Sequence, residues 1–265
     1  YMIKYGTSGF RTHHSVILKI AEKIGLAMAQ LVYYKKESFG IMITASHNHH
    51  EDNGVKIMDQ YGADILRLWV ATTDYSRELN ISNEIIKRVA DSYRRIRNTL
   101  RFLSANLEDF DAKKMLIDPK EMLSIDKYGL YLTDELQNNI IKDYENFDFY
   151  LGMQKFLSFC SEDMGGFYLD VIKDRLYTSK VDGNARKASQ FVCHNILKMM
   201  NIWIAPILSF TAEEVYQSID DKKCKSVFLE EWSTDNFPIS EQEISIGDEL
   251  FSLKQPVAKA LDEAR

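Results

Sequence analysis

Two groups of residues in this 265-residue chain have the types and spacing to do chemistry. The first is cationic. Arg94, Arg97 and Arg101 recur at three- and four-residue steps, with Arg95 beside them. That spacing sets guanidinium groups along one face of a helix, where they can offer forked donors to an anion. Between Glu84 and Arg101 six basic and two acidic side chains give a local charge of +4, in a chain whose total is −6. The same spacing also fits a solvated face that neighbouring acids neutralise, and on spacing alone that is the default reading. The second group is N-terminal. Tyr5-Gly-Thr-Ser-Gly-Phe-Arg11 reads as a glycine-flanked polar loop. Backbone N–H groups in such a loop can approach a phosphate closely, and Arg11 adds a forked donor. Farther on, Ala45-Ser-His-Asn-His-His-Glu-Asp-Asn-Gly-Val-Lys56 follows a short apolar run. A polar loop at the end of a strand is a common mount for a reactive group.

Helical periodicity supplies most of the elements that must position these residues. Tyr93, Ile96, Leu100, Leu103 and Leu107 form an apolar stripe beside the arginines, so the arginine helix has a keel by which to dock. Val16–Val32, Ala63–Ala71, Ile81–Ala90 and Leu123–Phe149 carry comparable patterns. Met164, Tyr168, Ile172 and Leu176 fall four apart, with Phe167 and Val171 adjacent, and Lys173, Arg175 and Lys180 project from the polar side. Gly165 and Gly166 are placed near that helix's start or at a close helix contact, because glycine in a helix interior costs about 1 kcal/mol. Ala185–Trp203 is a longer helix, which Pro206 ends. Thr211 is expected to cap the next one, with Glu214 completing a capping box and Phe210 stapled to Val215. Phe39–Thr44 reads as a buried strand, Val227–Trp232 as a short strand, and Leu250–Arg265 as a last helix that is cut off.

Bulk properties limit the function classes. Apolar content of 45% and charged content of 27% are those of a globular protein. The negative total argues against a whole-surface nucleic-acid binder and leaves room for a local basic patch. Seven acids and no Lys or Arg occur between Ser226 and Leu253, a run read as a solvated acidic loop and tail. Cys160, Cys193 and Cys224 are odd in number and far apart, as free thiols in a reducing compartment such as the cytoplasm would be. No apolar run approaches the roughly 20 residues of a membrane span, and no signal-peptide pattern is present. A first residue of Tyr1 in place of Met is expected of a fragment.

The motifs carry two resemblances. TASHN (Thr44–Asn48) and EDNGVK (Glu51–Lys56), preceded by YGTSGFRT (Tyr5–Thr12), resemble the first domain of the phosphohexomutases, and most closely the phosphoacetylglucosamine mutases. The likeness covers about residues 1–60. It implies that Ser46 occupies the position of the serine that exchanges a phosphoryl group with a sugar phosphate. Arg11 and Lys56 would neutralise the phosphate, and His47 would shuttle a proton. His49 stands where many members have proline. No D-G-D-x-D-R-like stretch exists to hold the family's metal, so Ser46 is read as a catalytic relic. The cluster His47, His49 and His50 is read as a solvent-facing loop, and no metal site is expected.

YGADILRLWV (Tyr61–Val70), SYRRIRNT (Ser92–Thr99), FCSEDMGGFYLDVIKDRLYTSK (Phe159–Lys180) and WIAPILSFTAEEVY (Trp203–Tyr216) resemble the isoleucyl-tRNA synthetases. Order and spacing agree over residues 61–265. The resemblance implies a mainly α fold: a helical bundle of the class I synthetase anticodon-binding type, with a small α/β N-terminal fragment. The implied domains are a mutase-like piece at 1–60, a connector resembling the stem-contact segment at 61–80, and an anticodon-binding helical domain at 81–265, truncated at its C-terminus. Neither an H-I-G-H-like nor a K-M-S-K-S-like motif is present, and the editing domain and zinc-binding tail are absent. The chain alone is therefore expected to ligate no amino acid. ATP and Mg²⁺ are implied only for the full-length parents, and no cofactor for this chain. The implied partner is tRNA of the isoleucine type. Arg94, Arg97, Arg101, Lys173, Arg175, Lys180, Arg186 and Lys187 become its candidate contacts, phosphates being gripped by cations and unstacked bases by exposed aromatics. Each of these cations could equally serve a bundle salt bridge, and Trp203 and Trp232 are assigned to the core. The alternatives are a mutase-like phosphotransferase fragment using Ser46, or an inactive chimaeric reading frame.

Overall fold

The computed structural model describes residues 4–6, 9–13, 39–44, 52–59, 62–74, 81–112, 117, 122–219, 224–234 and 237–263. The chain forms two compact units, Tyr1–Leu66 and Arg67–Arg265.

The first unit contains a four-stranded antiparallel sheet in the order β1-β2-β4-β3. Its strands are β1 (Lys4–Gly6), β2 (Gly9–His13), β3 (Phe39–Thr44) and β4 (Asp52–Asp59). The alternating, β-branched run Phe39–Thr44 is the expected strand, paired along its whole length with β4. Most of the expected polar loop Tyr5–Arg11 is instead paired antiparallel strand, β1 against β2, with Gly6 opposite Gly9. Arg11 therefore stands within β2, opposite Lys4 on one side and Gly54 on the other. Asp52–Lys56, read as the tail of a loop, belongs to β4. Both differences have one cause: ladder pairing satisfies backbone groups that a loop would leave to water. The segment holding Ser46, His47, His49 and His50, and the helix expected over Val16–Val32, lie outside the described residues.

The described helices are α1 (Ala63–Thr72), α2 (Asn83–Ala105), α3 (Ser124–Glu145), α4 (Phe149–Ser158), α5 (Leu169–Thr178), α6 (Asn184–Ile204), α7 (Ser209–Gln217) and α8 (Glu241–Glu263). The second unit is thus a helical bundle. Helix α2 starts at Ser82, whose hydroxyl accepts from the Ile85 N–H at 3.2 Å, an N-cap that satisfies one orphan donor. Its keel is buried as expected: Ile96, Leu100 and Leu103 are sealed, and Tyr93 and Leu107 pack on the core from its margin. Helix α6 is the hub, packing against α2, α3, α5 and α7. Trp203 is fully buried between Phe156 and Phe159, with its indole N–H donating to Gln137 at 3.2 Å. Trp232 packs on the core from a partly exposed position. Arg67 reaches from α1 to the turn after α6, donating to the carbonyls of Ile207 at 2.7 Å and Pro206 at 2.6 Å.

Several local expectations give way to packing. Gly165 and Gly166 lie inside a π-helical stretch, Phe159–Tyr168, that joins α4 to α5 without a break. A Cβ at either glycine would sit 2.9 Å from the carbonyl oxygen five residues back, on Cys160 and Ser161. The wide helix therefore tolerates no side chain there. Helix α7 begins at Ser209 without a side-chain cap. Thr211 is buried within it and meets the Tyr93 hydroxyl at 2.8 Å, while Phe210, the expected staple, is exposed. Val227–Leu229 is a 3₁₀ turn and not a strand, since no described strand lies beside it to pair with. The second half of the acidic run, with four of its seven acids, lies in helix α8, which starts nine residues before the expected Leu250 and contains Pro256. Docking explains the extension. Lys127 donates to Glu243 at 2.6 Å, Tyr128 donates to Asp248 at 2.7 Å, and Gly247 lies so close that a Cβ would reach 2.1 Å from the Tyr128 ring.

Candidate nucleic-acid interface

The keel of α2 faces α6 and the π-helical stretch, so geometry turns Arg94, Arg95, Arg97 and Arg101 outward, and all four are exposed. Arg94 makes an exposed pair with Asp91 at 2.5 Å. Arg97 donates to the Tyr93 hydroxyl and to Glu214 on α7, both at 3.1 Å. The Tyr93 hydrogen bond, then Glu214, raise its pKa and keep its charge secure. Arg95 and Arg101 have no side-chain partner among the described residues. Exposed pairs of this kind contribute under about 1 kcal/mol, so an incoming phosphate can displace Asp91 or Glu214 at small cost.

The second candidate patch divides. Lys173 is exposed, bonded to Asp170 one turn back at 2.7 Å; that bond raises the lysine's pKa and lowers the aspartate's. Four residues on, Tyr177 lies on the same face of α5, 64% exposed. Lys180 and Val181 follow just past the helix end, both exposed. Tyr177 thus lies one turn after one exposed lysine on the helix and shortly before another past the helix end. Lys187 is half-buried near the start of α6.

Arg175 and Arg186 do not belong to either surface. Arg175 was expected on the polar side of its helix. Instead it points inward and clamps the fully buried Asp126 through two bonds of 2.7 and 2.9 Å, with the Tyr168 hydroxyl donating to the same carboxylate at 3.0 Å. Burial alone would lower the guanidinium pKa, but the Asp126 bonds outweigh it and the net shift is upward. Arg186 makes a bidentate pair with Asp109 at 2.6 and 3.0 Å and also donates to the Leu176 carbonyl at 3.1 Å. That pairing holds the Asp109 carboxyl below its ordinary range. Both arginines tie elements of the bundle together. Helical periodicity misplaced them because each long side chain curls back to an acid from another segment, the buried Asp126 for Arg175 and the exposed Asp109 for Arg186.

The arrangement offers an exposed guanidinium row, an exposed Tyr177 flanked by lysines, and a cleft beside Arg101 at the C-terminal end of α2. Sequence reasoning missed Tyr177, although its four-residue step from Lys173 was there to be read. Among the described residues no cluster of His, Cys, Asp and Glu could hold a metal ion. Cys160 and Cys193 are buried thiols whose pKa burial pushes up, and Cys224 is half-buried; all three are unpaired. No helix among the described residues is long and apolar enough to cross a membrane. In the N-terminal sheet, Arg11 stands opposite Gly54 and Lys56 opposite Met42 in register.

Comparison with known proteins gives two matches along the chain. Residues 23–68 match the phosphoglucomutase/phosphomannomutase alpha/beta/alpha domain I. Residues 126–265 match the anticodon-binding domain of tRNA ligase. Among similar proteins, isoleucine–tRNA ligase of Legionella pneumophila (strain Corby) is 50% identical over 79% of this chain and 23% of its own length. The isoleucine–tRNA ligase of Thiobacillus denitrificans is 57% identical over 66% of the chain and 19% of its own length. That of Proteus mirabilis is 46% identical over 79% and 23%. The chain thus spans under a quarter of the length of these relatives. With the matched region covering α3 to the end of α8, the helical unit is a member of the family of anticodon-binding domains of tRNA ligases.

Proposed function

We propose that the helical unit binds the anticodon arm of a tRNA, of the isoleucine type by similarity to its relatives. The observation that carries this reading is the exposed row Arg94–Arg95–Arg97–Arg101, in which two guanidiniums have no internal acid to satisfy them. The bundle gains under about 1 kcal/mol from each exposed pair that Arg94 and Arg97 make and has no internal acid for Arg95 and Arg101, whereas a phosphate backbone could engage all four. Arg94, Arg97, Arg101, Lys173 and Lys180 then position the stem, with Lys187 at the margin, and Tyr177 offers a stacking surface. Arg175 and Arg186 contribute by holding the bundle's shape. No cofactor enters this reading; ATP and Mg²⁺ belong to the chemistry of longer parents, and the setting is the cytoplasm, where tRNA and reduced thiols coexist. In a filter-binding assay with tRNA, affinity is expected to fall by about 10³-fold or more between 50 and 200 mM salt if six or more phosphates are contacted. Salt-insensitive binding, or none at 50 mM, would remove the proposal.

The N-terminal match supports a second, narrower reading: residues 1–60 are a fused phosphohexomutase piece in which Ser46, Arg11, His47 and Lys56 are a relic of phosphoryl transfer. Mass spectrometry is expected to find no phosphate on Ser46, and no turnover of an N-acetylglucosamine phosphate. Phosphorylated Ser46 with turnover would replace this reading with a working phosphotransferase.

A further inference from the structure

Both cationic surfaces reach the C-terminal ends of their helices. Arg101 lies one turn before the end of α2, Lys173 and Tyr177 lie in the last turns of α5, and Lys180 lies just past it. Among the described residues these two helices pack on α6 and on the π-helical stretch, and not to that extent on each other. Their ends are joined through a side chain of α6. Arg186, in the first turn of that helix, engages all three guanidinium nitrogens across elements. Nη1 and Nη2 hold the Asp109 carboxylate, shortly past the end of α2, at 2.6 and 3.0 Å. Nε donates to the Leu176 carbonyl, in the last turn of α5, at 3.1 Å. Leu176 directly precedes Tyr177 and falls between Lys173 and Lys180 in the chain. Gln190, one turn farther along α6 and fully buried, reinforces the same joint. Its Nε2 donates to the Asn106 carbonyl at 2.9 Å and to Asp109 at 2.7 Å, and Asn106 is the residue that caps α2.

The needs of α6 itself do not explain Arg186. A cation in the first turn of a helix works against the macrodipole, which favours acids there, and α6 has no acid in that turn. With 14% of its side chain exposed and every nitrogen engaged, Arg186 is not placed to meet RNA directly. Its bonds suit a joint. A forked bond to a carboxylate fixes angle as well as distance, and the Leu176 carbonyl is one of those that a helix end leaves without a helical partner. We infer that Asp109 and Arg186 are positioning residues: their joint sets the arginine row of α2 and the Lys173–Lys180 face of α5 at a fixed spacing, so that one RNA backbone is gripped by both at once. This inference rests on the tRNA-binding reading and adds what makes two surfaces act as a single site. Each surface alone offers a few exposed cations. Held at a spacing that matches the ligand, the second engages at a high effective concentration, which a loosely hinged pair lacks.

Asp109→Asn in the full chain gives the test, because field and geometry predict opposite signs. The substitution removes a negative charge from an exposed site, and by the field alone it should tighten the binding of a polyanion. If Asp109 positions the Lys173–Lys180 face, the same substitution is expected to weaken binding of an isoleucine-type tRNA transcript roughly 10-fold at about 100 mM salt. The slope of log affinity against log salt should fall by about two, close to one per lost phosphate contact, although no cation has been removed. Lys173→Ala/Lys180→Ala is expected to cost about as much in the parent chain, and under about 2-fold more when added to Asp109→Asn, since residues that act together are not additive. Arg186→Lys keeps the charge and loses the fork; as a second variant it should show the same loss and the same slope. Circular dichroism at the assay temperature identifies the variants that are folded. Unchanged or tighter binding in a folded Asp109→Asn or Arg186→Lys variant overturns the inference, as do losses that multiply when the substitutions are combined. Lys173→Ala/Lys180→Ala binding as tightly as the parent also overturns it, and leaves the arginine row and the tRNA reading standing. If the parent chain fails to bind tRNA even at about 50 mM salt, the tRNA reading itself falls and this inference falls with it.

Discussion

Replacing Arg175 with Met separates a structural arginine from an RNA-binding one. The Asp126 carboxylate is fully buried and is satisfied by two guanidinium bonds and one tyrosine hydroxyl. Removing the guanidinium leaves a buried anion with Tyr168 alone. Breaking a buried pair in this way costs about 3–5 kcal/mol, because the remaining charge keeps its desolvation penalty and loses its compensation. For a unit of this size each kcal/mol corresponds to roughly 2–4 °C of melting temperature, so Arg175→Met is expected to melt roughly 6–20 °C lower by circular dichroism. The double variant Asp126→Leu/Arg175→Met removes both charges and should recover most of the loss, since apolar replacement of a buried pair is often neutral. At 10 °C, where both variants remain folded, affinity for tRNA should stay within about 2-fold of the parent. A melting temperature unchanged within error, accompanied by weakened RNA binding, would refute the assignment. Arg175 would then be reaching RNA and not Asp126.

Three other outcomes follow from the same structure. Arg95→Ala/Arg101→Ala should reduce the slope of log affinity against log salt by about two, close to one per lost phosphate contact, and leave the melting temperature unchanged; an unchanged slope would show that these arginines do not face RNA. Gly166→Ala should destabilise the unit by about 1–3 kcal/mol in a denaturant titration, because its Cβ would lie 2.9 Å from the Ser161 carbonyl oxygen and the π-helical stretch must rewind to admit it; a neutral result would mean that the stretch relaxes freely into an α-helix. Burial, then Glu162 and Glu135, push the Asp163 carboxyl up to about 6. A folded-state pKa above the unfolded value favours the folded state below about pH 4 and withdraws that support as pH rises through 6. Asp163→Asn should therefore raise the melting temperature at pH 7.5 and leave it unchanged at pH 4; the same gain at both values would assign the effect to something other than titration.

The sequence alone determined the helices with long apolar periods. The stripe of α2 and the four-residue steps Met164–Tyr168–Ile172–Leu176 are buried where periodicity placed them, because burying an apolar face is a local pattern with a global payoff. The strand Phe39–Thr44 is legible for the same reason, and two series of motifs are specific enough to indicate both families. What sequence could not decide were contacts between distant segments. Arg175 and Lys173 are two residues apart and chemically alike. One finds Asp126 from another helix and turns in, and the other stays outside beside Asp170. The acidic run became helix α8 only because Lys127 and the flat ring of Tyr128 wait for Glu243, Asp248 and the bare backbone of Gly247. The cleft by Arg101 assembles from the end of one helix, the loop after it, the middle of a second and the end of a third. No window of the chain holds that arrangement, since side-chain convergence depends on packing geometry, which local periodicity does not encode.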